Sequence, residues 1–360
     1  MYIQDMEKRQ KKYAEYWAKE NHDRPILSIT APRKNAKKIQ GTKYPGSLRE
    51  SWWDEDWLIK NARASMENTY FAGEALPILN PNLGPDVFAA YLGCELDYGD
   101  DTSWSIHMID DWADHHFTFD PENIYWKKIY SMTEHFLKDS AGDYLVGLTD
   151  IHQGMDALVS LRGPEAVCLD VFDSPEEVRR VLAEIEEVFK TTLYKSFELV
   201  EKYQKGTTNW MGIYHPGRWY VSSSDFIYLI SPDTFDEFSS ESIRREAEII
   251  GDNIYHLDGV GSARHLDKLL EMPEINGIQW VYGAGQPTAA HWIDLLKRVQ
   301  AAGKMIEVNC VASDIMPLLE SGLKPEGLRF SLGMNSEEEA DQMIRDVERF
   351  YAKNNRAKAI

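Results

Sequence analysis

His256-Leu257-Asp258-Gly259 sets an imidazole and a carboxylate two residues apart. In an extended segment alternate side chains share a face, so His256 and Asp258 would point the same way, as metal ligands or as a proton-transfer pair. The same two residues also suit a helix cap at Asp258 and a hydrogen-bonded wall position for His256. Glu307 and Cys310, in Glu307-Val308-Asn309-Cys310, each offer a third ligand. Asp225 and Asp258 are candidate acids that could protonate a carbanion, and Asp150 and Asp156 could act as acid or base once burial raises a pKa. Arg218, close in sequence to Tyr214 and His215, is the expected positive point that would hold a carboxylate or phosphate through two hydrogen bonds. His152 adds a polar substrate contact, and Trp280, Tyr282 and Trp219 would supply flat apolar walls for a ring-shaped ligand.

These residues need elements that bring them to one place. Short apolar runs rich in β-formers and bounded by Gly, Pro or Asn occupy residues 25–30, 76–80, 144–149, 208–213, 253–257, 277–281, 304–309 and 328–332. Helical stretches lie between them. Ser174-Pro175-Glu176-Glu177 reads as a cap, a first-turn proline and a reaching-back carboxylate, Ser231-Pro232-Asp233 opens another helix, and Ser336 to Glu339 forms a capping box. Eight strands alternating with helices predict a single (β/α)8 TIM barrel domain over residues 1–360, with a small excursion between strands 2 and 3. In such a barrel chemistry gathers at the C-terminal strand ends. There the reading places His152 after strand 3, Tyr214, His215 and Arg218 after strand 4, His256 and Asp258 on strand 5, Trp280 and Tyr282 on strand 6, and Glu307 and Cys310 on strand 7.

Composition narrows the function classes. The chain of 360 residues carries a formal charge of −20, with 43% hydrophobic and 27% charged residues, so a basic nucleic-acid-binding face is not expected. No run approaches the roughly 18 apolar residues needed to span a bilayer, and residues 1–21 are studded with Lys and Glu in place of an apolar signal core. The expected placement is cytoplasmic, with no membrane partner. Cys94, Cys168 and Cys310 are too few and too widely spaced for a disulfide framework or a self-contained zinc knuckle.

Three segments carry a resemblance to the uroporphyrinogen decarboxylase superfamily, which includes corrinoid-linked methyltransferases such as the methylcobamide:coenzyme M enzymes. Residues 224–238 run from Ser224-Asp225-Phe226 through Ser231-Pro232-Asp233 to Phe235-Asp236-Glu237-Phe238, similar to the family's segment after strand 4. His256-Leu257-Asp258-Gly259 resembles its His-x-Cys-Gly, and Gly333-Met334-Asn335 stands where it has a Gly-Cys-Gly or Gly-His-Gly turn. The resemblance implies a methyltransferase that moves a methyl group between a small methylated substrate and a corrinoid held by a separate corrinoid-binding protein. It also implies a zinc site at the positions of His256, Asp258 and Met334, and a homodimer. Two of the family's thiolates are here a carboxylate and a thioether, and a thioether is a poor zinc ligand. Arg33 alone stands where the decarboxylase carries its substrate-binding arginines. The alternatives are a cofactor-free decarboxylase or lyase acting on a small carboxylated substrate, and a carbohydrate-active barrel, suggested by the acidic mouth and 11 Trp.

Overall fold

The computed structural model describes residues 2–36 and 43–358. Its strands are β1 (Ile26–Pro32), β2 (Thr69–Gly73), β3 (Ile78–Leu79), β4 (Glu95–Tyr98), β5 (Ser103–Ile106), β6 (Leu145–Val146), β7 (Trp219–Ser223), β8 (Asp252–Asp258), β9 (Gly277–Val281), β10 (Met305–Asn309) and β11 (Leu328–Gly333). Seven of them form one sheet in the order β2-β1-β11-β10-β9-β8-β7, parallel throughout except where β2 runs antiparallel to β1. β3 and β6 form a separate parallel pair, extended by a parallel bridge between Leu148 and Asn209. The result is a mixed α/β architecture with a mostly parallel central sheet and helices in the connections. Between β3 and β6 the chain makes the antiparallel hairpin β4–β5 and the helix Ile124–Ser140, which Asn123 caps by accepting the N–H groups of Tyr125 and Trp126.

One expected strand is displaced. Residues 208–213 look like a strand by composition, and Thr208 and Asn209 do pair with Leu148, yet Gly212 N–H donates to Asn209 O at 3.0 Å and Gly212 has φ +71°, so residues 209–212 form a turn. The strand beside β8 is instead β7, Trp219–Ser223. Tyr214, His215 and Arg218 therefore precede their strand and do not lie beyond its C-terminal end.

Register explains where polar side chains collect. Ser223 pairs with His256, His256 with Gln279, Gln279 with Glu307, Glu307 with Arg329 and Arg329 with Ile26. Residues in register share a face, so five polar side chains form one row on an otherwise apolar sheet. The row slants, from the last residue of β7 to the first residue of β1. His256 thus lies near the C-terminal ends of the strands, while Glu307 and Arg329 lie towards the N-terminal ends. The opposite face carries Tyr255, Ile278, Trp280 and Ile306, buried in the main core.

The helix Met6–Trp17 covers the N-terminal ends. Tyr16 Oη donates to Ile306 O at 3.4 Å, Trp17 Nε1 donates to Tyr214 O at 3.0 Å, and the Trp17 ring meets Trp219 edge-on at 5.2 Å. No helix among the described residues is long and apolar enough to cross a membrane.

Candidate active site

Five ionisable side chains meet at the C-terminal ends of β6, β7 and β8. The potential ligand atoms of Asp225, His256 and Asp258 all lie within 4.8 Å of one another, and so do those of His152, Asp156 and Asp225. Asp225 belongs to both groups and joins them into one line.

The backbone fixes most of this geometry. His256 and Asp258 stand on β8 with the alternation the sequence implied. Asp258 precedes the short helix Gly259–Ser262, but no side-chain capping bond forms, so the carboxylate is left to the site. His256 is not a mere wall residue either. Its Nδ1 lies 2.5 Å from Gln279 Oε1, its register neighbour on β9, and the edge of its ring meets Trp210 at 5.3 Å between centroids. With an amide oxygen at Nδ1, that nitrogen carries the proton and Nε2 presents its lone pair.

Asp225 is held through its main chain. Its N–H donates to Asp156 Oδ2 at 2.8 Å, the N–H of Phe226 donates to Asp156 Oδ1 at 2.9 Å, and Ser224 Oγ lies 3.4 Å from the same Oδ1. The following loop is anchored by His265, whose Nε2 donates to Ile227 O at 3.0 Å while its ring stacks on Phe235 at 4.5 Å. Ser231 then caps the next helix by accepting the N–H of Thr234, with Pro232 in the first turn.

Electrostatics follow from crowding these groups together. Burial disfavours the His152 imidazolium, but Asp150, at 3.4 Å, together with Asp156 and Asp225, outweighs it and raises the imidazole to about 10. Burial, with the nearby Asp225 carboxylate, raises Asp156 to about 6, against the opposing pull of His152 and the two backbone N–H groups. Burial and Asp225 likewise raise Asp258, against the pull of His256. Glu246, fully buried on the helix Ser240–Ile250 behind the site, is pushed well up by desolvation. A cleft of about 330 Å³ opens at the His152 end, lined by Asp86, Asp156, Ser160, Asp225 and Tyr228 among others.

Several sequence candidates stand elsewhere. Arg218 donates through Nε and Nη2 to both carboxylate oxygens of Glu201, at 2.6 and 2.7 Å, and lies over Tyr194 and Phe197 at the N-terminal side of β7. His215 lies 3.3 Å from Asp252, the first residue of β8, and Tyr214 O takes the Trp17 hydrogen bond. None of the three joins the cluster, because β7 begins after them. Glu307 pairs with buried Arg329 at 2.6 Å and, being lower in the slanting row, is not a third ligand. Cys310 is buried, its Sγ 3.6 Å from Val308 O, and its thiol is pushed well up by burial. The third member of the His256–Asp258 group is Asp225. Trp280 is fully buried on the helix-facing side, edge-on to Trp292 at 5.1 Å, so it is no ligand platform. Tyr282 is partly buried against the core. Gln279 and Trp210 are the site neighbours that sequence reasoning missed. A lone polar residue in the apolar run Gly277–Val281 was the available signal for the first.

No protein-family model matches the sequence, and no curated protein matches it. In fold the chain is similar to a methyltransferase from Methanosarcina mazei, at 14% sequence identity and a TM-score of 0.64, over 95% of this chain and 99% of that one.

Proposed function

We propose that the protein is a methyltransferase built on a (β/α)8 barrel, moving a methyl group between a small methylated substrate and a corrinoid carried by a separate protein. A divalent cation, zinc in the first instance, would be held by Asp225, His256 and Asp258. The observation that carries the reading is the convergence of these three side chains within 4.8 Å. One imidazole nitrogen and two carboxylate oxygens are a donor set suited to a catalytic divalent ion, with a position left for substrate. The likeness in fold to a protein named a methyltransferase supports the same reading. So do the six parallel strands of the central sheet, β1 and β7 to β11, beside the separate parallel pair β3 and β6.

When bound, the cation would polarise the heteroatom that gives or receives the methyl group. The chain's own residues do the rest. Gln279 fixes the His256 tautomer and ring plane, so that Nε2 is the free nitrogen. Asp156 positions Asp225 by accepting the two backbone N–H groups that bracket its turn. His152, an imidazolium at neutral pH, offsets part of the negative charge of Asp150, Asp156 and Asp225. A decarboxylase reading lacks its arginine, since both oxygens of Glu201 occupy Arg218. The test is incubation of the zinc-loaded protein with cob(I)alamin and a panel of methoxylated and methylated small molecules, following methylcobalamin by its absorbance. Turnover of one member, lost in His256→Ala, is the expected result. Turnover that survives unchanged in that variant would contradict the assignment of the site.

A further inference from the structure

A second cleft, of about 440 Å³, lies on the other side of His256. Its wall combines Thr30 on β1, Ala62 and Met66 on the helix Glu55–Asn68, Phe71 on β2, Asn80 after β3, and the turn residues Asn209 and Trp210. The Trp210 ring meets the His256 ring edge-on at 5.3 Å between centroids, so the cleft reaches the proposed ligand His256 through that ring. Among the described residues none that lines it is charged, in a chain that is 27% charged and carries a net −20. Its apolar members Met66, Phe71, Leu76 and Ile78, with the Trp210 ring, form a wall suited to a flat apolar group.

We infer that this cleft binds the body of the substrate, and that the substrate is an uncharged small molecule with a flat apolar part. An ion would lose its hydration there with no counter-charge among the described residues of the wall. The inference rests on the proposed function for the identity of the neighbouring reaction centre, and it deepens that function by naming the substrate class.

Benzamide, benzoate and benzamidinium have nearly the same shape and differ in charge, which makes them the probes. Binding of each to the full-length protein is measured by calorimetric titration and ligand-observed NMR. The expected result is saturable binding of benzamide at least tenfold tighter than either ion, weakened at least tenfold by Ala62→Trp with zinc content unchanged. Should Ala62→Trp fail to fold, Asn209→Asp keeps the shape of the wall, adds a charge, and is expected to turn the preference towards benzamidinium. Absence of saturable benzamide binding, an ion bound as tightly, or indifference to both variants would overturn the inference. His256→Ala separates the two readings. Benzamide binding by a wild-type protein that takes up no zinc, or whose zinc survives His256→Ala, sinks only the metal assignment, whereas zinc binding that is lost in His256→Ala, without benzamide binding, sinks only this one.

Discussion

Asp156 and Asp225 are joined by a hydrogen bond of 2.8 Å from the backbone N–H of Asp225 to the carboxylate of Asp156, and the next N–H, of Phe226, takes the other oxygen at 2.9 Å. One carboxylate thereby sets the place of another. Asp225 is the member shared by both ionisable groups, so its position decides whether His256 and Asp258 have a third partner.

Replacing Asp156 by Asn leaves one oxygen for two donors. We expect Asp156→Asn to fold but to lose about 10- to 100-fold in zinc affinity, the range found when an outer-shell partner of a metal ligand is removed. Competition titration with a chromogenic chelator checks this, and an unchanged affinity would show that Asp156 does not position Asp225.

Glu307 and Arg329 form a buried ion pair at 2.6 Å, with Arg329 also reaching Tyr13 Oη and Gly212 O. Breaking such a pair from one side strands a buried charge and costs about 3–5 kcal/mol. Glu307→Gln should therefore lower the urea midpoint markedly while leaving zinc content per folded molecule intact. Loss of zinc from a fully folded Glu307→Gln protein would restore Glu307 as a ligand.

Arg218 makes its ion pair with Glu201 at the surface, where such pairs contribute about 0–1 kcal/mol. Arg218→Ala should change stability by little more than that and leave any methyl transfer untouched. A large fall in kcat/KM would return Arg218 to the substrate's surroundings.

The pH dependence of stability is set in part by Glu246. Desolvation raises its folded-state pKa well above the usual carboxylate value, so the native state takes up its proton more readily than the unfolded chain. The stability this group contributes is complete below its unfolded pKa near 4.5 and is lost as pH rises through the folded value. Glu246→Gln removes the titration. It should stabilise the protein relative to the wild type at neutral pH, with the difference shrinking towards pH 4.5. Thermal melts of both proteins across that range provide the check, and a gap that widens as the pH falls would contradict it.

Much of this arrangement was legible in the sequence, and what was not has physical reasons. His256 and Asp258 could be paired because strand alternation is a local property, and the Ser231-Pro232 cap could be read because capping needs only neighbouring residues. Asp225 was visible as an acid, but its meeting with His256 depends on β7 and β8 lying side by side, which no local pattern encodes. The error at residues 208–213 arose because an apolar run outweighed Asn209 and Gly212, the two residues that make it a turn. From that one displacement followed the misplacement of Tyr214, His215 and Arg218. Glu307 failed for another reason: the register row slants across the sheet, so a residue on β10 level with His256 in pairing lies deeper towards the helix Met6–Trp17. On β9 the size and apolar character of Trp280 suit a ligand wall, but the parity of the strand turns Trp280 into the core and Gln279 to His256.

The central claim is that Asp225, His256 and Asp258 hold one divalent ion. Elemental analysis of the purified wild type beside Asp225→Asn, His256→Ala and Asp258→Asn, each after zinc supplementation and desalting, tests it most directly. Close to one zinc per wild-type chain is expected, with at least a tenfold loss in every variant that remains folded. A folded wild type without metal, or variants that keep theirs, would contradict it.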